Sequence, residues 1–131
     1  MSRENVELNR RCIDAVNRRD LEGFLALMDE DVRADSRLAP MEGGYRGHDG
    51  VRRWWRDFIG GFPDITMEIV EVRDLGDFTV ASIRSRAHGA DSRTPMEEGL
   101  WQVGEWRNGK VVWWSAYPSE ADAVEAVGLS E

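Results

Sequence analysis

Asp29-Glu30-Asp31-Val32-Arg33-Ala34-Asp35, followed at a short interval by Gly43-Gly44-Tyr45-Arg46-Gly47-His48-Asp49-Gly50-Val51-Arg52-Arg53-Trp54-Trp55, is the stretch on which the reading of this chain turns. The acidic triplet Asp29 to Asp31 is expected to end an apolar helix. Val32 to Leu38 then reads as a short strand carrying a lone acid, Asp35, between Ala34 and Ser36. The glycine breaks at 43, 44 and 47 lead into a helix that starts at His48 or Asp49, with Val51, Trp54, Trp55, Phe58 and Ile59 on its apolar side.

Upstream, residues 3–18 carry Val6, Leu8, Cys12, Ile13, Ala15 and Val16 over about half of a helical wheel at a period near 3.6, with Ser2 available as a cap. Asn5 and Asn9 fall within that apolar arc. They either lie at a solvated helix end or point amides into a cavity. Asp20 caps a second short helix whose Leu21, Phe24, Leu25 and Met28 follow the i, i+3, i+4, i+7 pattern.

Downstream, Gly60-Gly61 stops the third helix and the period changes to two. Ile65, Met67 and Ile69, then Val70 and Val72, form a strand whose change of parity predicts a bulge near Ile69-Val70. Gly76-Asp77 turns into a strand from Phe78 to His88, and a loop leads to another from Glu97 to Trp106. Asn108-Gly109 is a strong hairpin signal ahead of a last strand, Lys110 to Tyr117. Ser119 opens a short terminal helix closed near Gly128. This order predicts an α+β fold: a curved antiparallel sheet with three N-terminal helices packed on one face and a short C-terminal helix.

The chain has 131 residues, 41% of them hydrophobic. That suits one domain spanning residues 1–131, able to bury about two-thirds of its unfolded surface. A formal net charge of −8 repels phosphate backbones and anionic bilayers, so neither nucleic acid nor membrane is expected as a partner, and Arg52-Arg53-Trp54-Trp55-Arg56 reads as a solvated helix edge. A single cysteine, Cys12, rules out an intrachain disulfide framework and a cysteine-rich zinc site. The charged amino terminus has no apolar run resembling a signal peptide, and the expected location is cytoplasmic.

Glu4-Asn5-Val6-Glu7-Leu8, Arg19-Asp20-Leu21-Glu22-Gly23, Asp31-Val32, Tyr45-Arg46-Gly47 with Gly50-Val51, and Asn108-Gly109-Lys110-Val111 followed by Trp114 resemble the SnoaL-like branch of the nuclear transport factor 2-like superfamily. That superfamily includes ketosteroid isomerases, polyketide cyclases, scytalone dehydratase and limonene epoxide hydrolase. The resemblance covers almost the whole chain and rests on helix starts and turns, so it specifies fold far better than function. It implies a cone-shaped α+β barrel over an apolar pocket for a small apolar or cyclic organic ligand, commonly in a homodimer joined through the sheet, and it implies no cofactor.

Carried over by position, Asp35 falls where ketosteroid isomerases keep their general base. Those enzymes add a Tyr and a protonated Asp that donate to the enolate oxygen. Here Cys12 stands in place of that Tyr, and Leu100 or Trp101 in place of that Asp. A thiol is a weak donor and Leu is none, whereas Trp101 offers an indole N–H. The polyketide cyclase pattern places an acid near Trp101 and a His one strand earlier, where His88 stands. The limonene epoxide hydrolase pattern needs an Arg between two acids, and Arg84, Arg86 and Asp35 match it too loosely to carry over.

The candidate catalytic residues are therefore Asp35 as base and His88 as a polarising group. If Asp35 faces a cavity, burial makes its carboxyl a usable acid or base; if it faces outward, it is an edge-strand surface acid. Phe78, Val80, Ser82, Arg84, Arg86 and His88 share one strand face, either a pocket rim or a solvent face. Tyr45, Trp54, Phe58, Arg86, Trp101 and Trp114 are the candidate substrate-binding residues. Trp113 and Trp114 are adjacent in one strand, so their rings must take opposite faces.

His48 and His88 have no partner at metal-ligand spacing, and the acids near Asp29 lack the glycine and terminal glutamate of a calcium loop, so no metal is expected. Two functional readings stand. One is cofactor-free acid/base chemistry, as an isomerase, cyclase or dehydratase, on a cyclic or polyketide-like carbonyl compound. The other is a non-catalytic ligand-binding or dimerisation module of the same fold.

Overall fold

A computed structural model describes residues 2–34, 44–88 and 96–128. Helix α1 (Ser2–Asn17) and helix α2 (Leu21–Ala26) precede strands β1 (Met28–Ala34) and β2 (Tyr45–Arg46). Helix α3 (Gly47–Gly61) follows, then β3 (Thr66–Leu75), β4 (Phe78–Ala87), β5 (Met96–Arg107), β6 (Lys110–Tyr117) and helix α4 (Glu120–Gly128). The strands form one curved, unclosed sheet in the order β2-β1-β6-β5-β4-β3. All ladders are antiparallel except β1 with β6, which is parallel. The α+β class and the helix complement are those expected from sequence.

The first strand starts earlier than expected. Met28 and Val32 are fully buried while Glu30 and Asp31 are exposed, and the Leu27 carbonyl accepts the Val111 N–H at 2.9 Å. The acidic triplet is thus the solvated side of a strand rather than a helix end. Its pairing with β6 is irregular between Met28 and Arg33, which hides the period of two from the sequence. Tyr45 forms with Arg46 the edge strand opposite Arg33 and Ala34.

The four-strand meander lies where the sequence puts it. The register shift between Ile69 and Glu71 is the anticipated bulge, and Asn108-Gly109 turns with φ of 53° and 77°, the left-handed pair that a two-residue hairpin requires. Side-chain alternation, offset by the register break between Glu105 and Trp106 that puts Val111 and Trp113 on opposite faces, then sorts two cores. Trp114, Val111 and Trp106 pack with Val16, Phe24 and Val51 beneath α1, α2 and α3. Trp113 points the other way, to Val80, Val103 and Tyr117, where Ala123 and Ala126 of α4 cover it. The short terminal helix therefore lies on the face opposite the other three.

Long-range polar ties fix the helices. Arg19 donates from Nη1 to the Val16 carbonyl at 2.7 Å. Its Nη2 reaches the Pro63 and Ile65 carbonyls at 2.8 and 2.7 Å, joining the α1–α2 turn to the start of β3. Asp20 caps α2 by accepting the Gly23 N–H at 2.9 Å. His48 Nε2 lies 3.0 Å from the Met28 carbonyl, tying the first turn of α3 to β1. A Cβ on Gly50 would stand 3.0 Å from the Tyr45 carbonyl carbon, so this glycine lets α3 sit against the strand before it. No helix among the described residues is long and apolar enough to cross a membrane.

Candidate functional site

A cavity opens between α1, α3 and the inner face of the sheet. Its deep end, between Asn9 and Cys12 of α1 and Gln102 and Gly104 of β5, encloses about 30 Å³. A wider chamber of about 180 Å³ adjoins it, bounded by Phe58, Phe62 and Leu100. Trp54, Met67, Gln102 and Trp114 border both, so the two are successive parts of one space. Gly104 leaves room at the deep end: a Cβ there would come within 3.2 Å of Trp106 Nε1.

One wall is aromatic. Trp54 stacks on Phe58 with centroids 5.3 Å apart and meets Trp114 edge-on at 5.4 Å. Phe24 also stacks on Trp54, with centroids 5.6 Å apart. Offset stacks and edge contacts are the favoured arrangements for ring quadrupoles, so this wall is pre-organised to receive a further ring.

Among the described residues, the polar complement of the cavity is small and uncharged. Asn9, 6% exposed, and Ser85, equally buried, face it together with the half-buried Gln102. None of these three side chains has a hydrogen-bond partner among the described residues. By contrast, the buried Thr79 hydroxyl accepts the Trp106 Nε1–H at 2.9 Å, and Asn5, one turn before Asn9, donates to the Gly76 carbonyl. A buried amide left unpaired costs about 1–3 kcal/mol. Both asparagines are thus buried, and the choice left open by the wheel is settled for the cavity at Asn9. Burial pushes the Cys12 thiol up to about 12, so it stays protonated and lines the deep end as a small apolar group.

The predicted site residues separate. Trp54, Phe58 and Trp114 line the cavity. Tyr45 packs against the core beneath α3, its hydroxyl 3.3 Å from Asp57 Oδ2 and its ring 5.1 Å from the Arg53 guanidinium. Arg86 and Trp101 lie on the outer face: Arg86 pairs with Thr66 in register and shares a surface depression with Arg84, and Trp101 packs against the core cluster beneath α4. His88, just past the end of β4, is exposed, with Nδ1 2.8 Å from Asp64 Oδ2. The His88 backbone N–H also donates to Asp64, and these contacts, the backbone one first, hold the Asp64 carboxyl below its usual range.

Asp35 lies outside the described residues. The residue before it, Ala34, closes β1 in register with Trp114 and is buried with it in the core beneath α1, α2 and α3. Sequence reasoning missed Ser85 and Gln102, whose signal is their parity with Ile83 and Leu100 on the inward strand faces, and Asp64, which nothing in the sequence links to His88. No group of three or more His, Cys, Asp or Glu among the described residues could hold a metal ion.

Comparison with known proteins follows the same lines. The sequence pattern of the SnoaL-like domain matches residues 9–114, and none of the curated proteins matches the chain. Among solved structures, a nuclear transport factor 2-like protein of unknown function from Burkholderia pseudomallei superposes with a TM-score of 0.76 at 22% identity, over 95% of this chain and 97% of its own. AclR, a putative hydroxylase from Streptomyces galilaeus, gives 0.76 at 17% identity over 98% of each chain. TerC, co-crystallised with polyporic acid, gives 0.73 at 18% identity over 95% of this chain and 98% of its own. At such identities the likeness is one of fold.

Proposed function

This chain belongs to the SnoaL-like domain family, and from that premise we propose that it takes a small, uncharged, cyclic or polyketide-like carbonyl compound into the cavity between α1, α3 and the sheet. The observation that carries the proposal is the lining: aromatic and aliphatic side chains with three neutral polar groups, Asn9, Ser85 and Gln102, and no ionised group among the described residues. Apolar walls with a few placed polar groups are the usual make-up of a small-molecule site. The co-crystallisation of TerC with polyporic acid supports an organic small molecule as the ligand.

The proposed chemistry is cofactor-free proton transfer. Asp35, the residue after Ala34, takes a proton from the carbon beside the ligand carbonyl and returns it to a second atom. In deuterated buffer, a cyclic ketone incubated with the protein should then gain deuterium at that carbon faster than in buffer alone. Asp35→Asn should abolish the gain while the circular dichroism spectrum is unchanged. Equal exchange by both proteins removes Asp35 from the mechanism.

A second reading is a binding module without turnover. It is favoured by the absence of any carboxylate or imidazole among the described residues that line the cavity. Saturable binding with no exchange above buffer in the unaltered protein supports it. Either reading is compatible with a homodimer, which we propose forms through the outer face of the sheet beside Trp101; sedimentation analysis should show a mass twice that of the chain.

A further inference from the structure

We infer that Asn9 and Gln102 form a subsite for a single ligand oxygen, which makes the ligand of this cavity a ring compound that enters with a carbonyl or hydroxyl group foremost. The inference rests on the proposed small-molecule function and adds to it the orientation of the ligand and the residues that select it.

Size is the first ground. The deep end, about 30 Å³, exceeds the roughly 10–15 Å³ that a cavity needs to hold one water molecule and is far smaller than a cavity that accepts a ring. It therefore admits a small polar substituent and not a ring. The adjoining chamber, about 180 Å³, exceeds the roughly 150 Å³ of an apolar cavity that accepts benzene. A ring seated there lies against Trp54 and Trp114, with its leading substituent in the deep end that those two residues also border.

Chemistry is the second ground. Asn9 is nine-tenths buried and faces the deep end, and neither its amide nor that of Gln102 has a hydrogen-bond partner among the described residues. Each amide carries two N–H donors and one acceptor. A carbonyl oxygen accepts from both; a hydroxyl accepts from one and donates to the other. Neighbouring groups do not compete. The Cys12 thiol is a weak donor held protonated, and the Trp106 indole N–H is already committed to Thr79. With no cation among the described lining residues, a carboxylate has nothing to neutralise it.

An oxygen that pairs with amides lacking a partner among the described residues gains selectivity over its hydrocarbon analogue, since the analogue offers those amides no hydrogen bond. The test compares 1-indanone with indane, two bicyclic compounds of nearly equal shape, by NMR titration of the isotopically labelled protein. The expected result is binding of 1-indanone about tenfold tighter than indane, with the side-chain amide signals of Asn9 and Gln102 moving only with the ketone. In Asn9→Leu and in Gln102→Met the ratio should fall to about threefold or less. The second variant is near-isosteric and half-buried, and it decides the matter if the first does not fold.

Equal affinities in the unaltered protein, amide signals that ignore the oxygen, or a tenfold ratio that survives Gln102→Met each overturn the subsite while leaving the cavity as a binding site. Failure of both compounds to bind overturns the small-molecule reading and the subsite together.

Discussion

Cys12 and Asn9 sit one turn apart on α1 and show what a helical wheel conveys at the residue scale. The wheel puts both on the apolar arc, and both are buried. It does not distinguish an amide bonded to a distant carbonyl, as Asn5 is to Gly76, from one left facing a cavity, because the difference depends on partners about seventy residues away. Cys12 provides the measurable consequence. Its thiol is raised from 9.0 to about 12 by desolvation, so the folded protein holds that proton more tightly than the unfolded chain. The stability this contributes is complete below pH 9 and is lost as the pH climbs from 9 to 12. At pH 8 the native protein should leave a thiol reagent unreacted over a time in which the denatured chain reacts fully. Rapid native labelling would show that the helix opens there.

At the scale of elements, the strand β3 is the instructive case, since it forms one free edge of the sheet. Asn17, the last residue of α1, donates to the Met67 carbonyl at 2.9 Å and accepts the Met67 N–H at 2.8 Å, filling the place of a neighbouring strand. Arg19 covers the Ile65 carbonyl just before it. Exposed edges invite pairing with other chains, and a side-chain amide that occupies the backbone groups blunts that tendency. Asn17→Ala should lower stability by about 1–3 kcal/mol in chemical denaturation. It should also raise concentration-dependent association in light scattering; a variant as monodisperse as the unaltered protein would deny the edge role. The sequence predicted the bulge in this strand from the parity of Ile69 and Val70. It misplaced β1, because acids belong both at a helix end and on the wet side of an irregular strand, and the pairing with β6 that decides between them is remote.

For the molecule as a whole, the adjacent pair Trp113 and Trp114 divides the sheet into two separately packed faces. That division was legible, since neighbouring residues in a strand cannot share a face. Which face held the site was not, because Trp101 and Trp114 are equally aromatic and differ only in strand parity. Alanine at either 113 or 114 should cost about 3–5 kcal/mol of stability by urea denaturation, as for other buried Trp. Below the transition, only Trp114→Ala should change the affinity for a cyclic ketone. Equal effects on binding would mean that the two faces communicate.

The parallel ladder between β1 and β6 also sets an order of events in time. Residues 28–34 are made early, yet apart from the two-residue β2 their partner in the sheet is the segment from 111 to 114, near the far end of the chain. Pairings so distant in sequence form slowly. On a ribosome, the aromatic wall at Trp54 therefore waits for Trp114 to be synthesised. Until then the growing chain carries Trp54 without the Trp114 ring it meets edge-on in the finished fold.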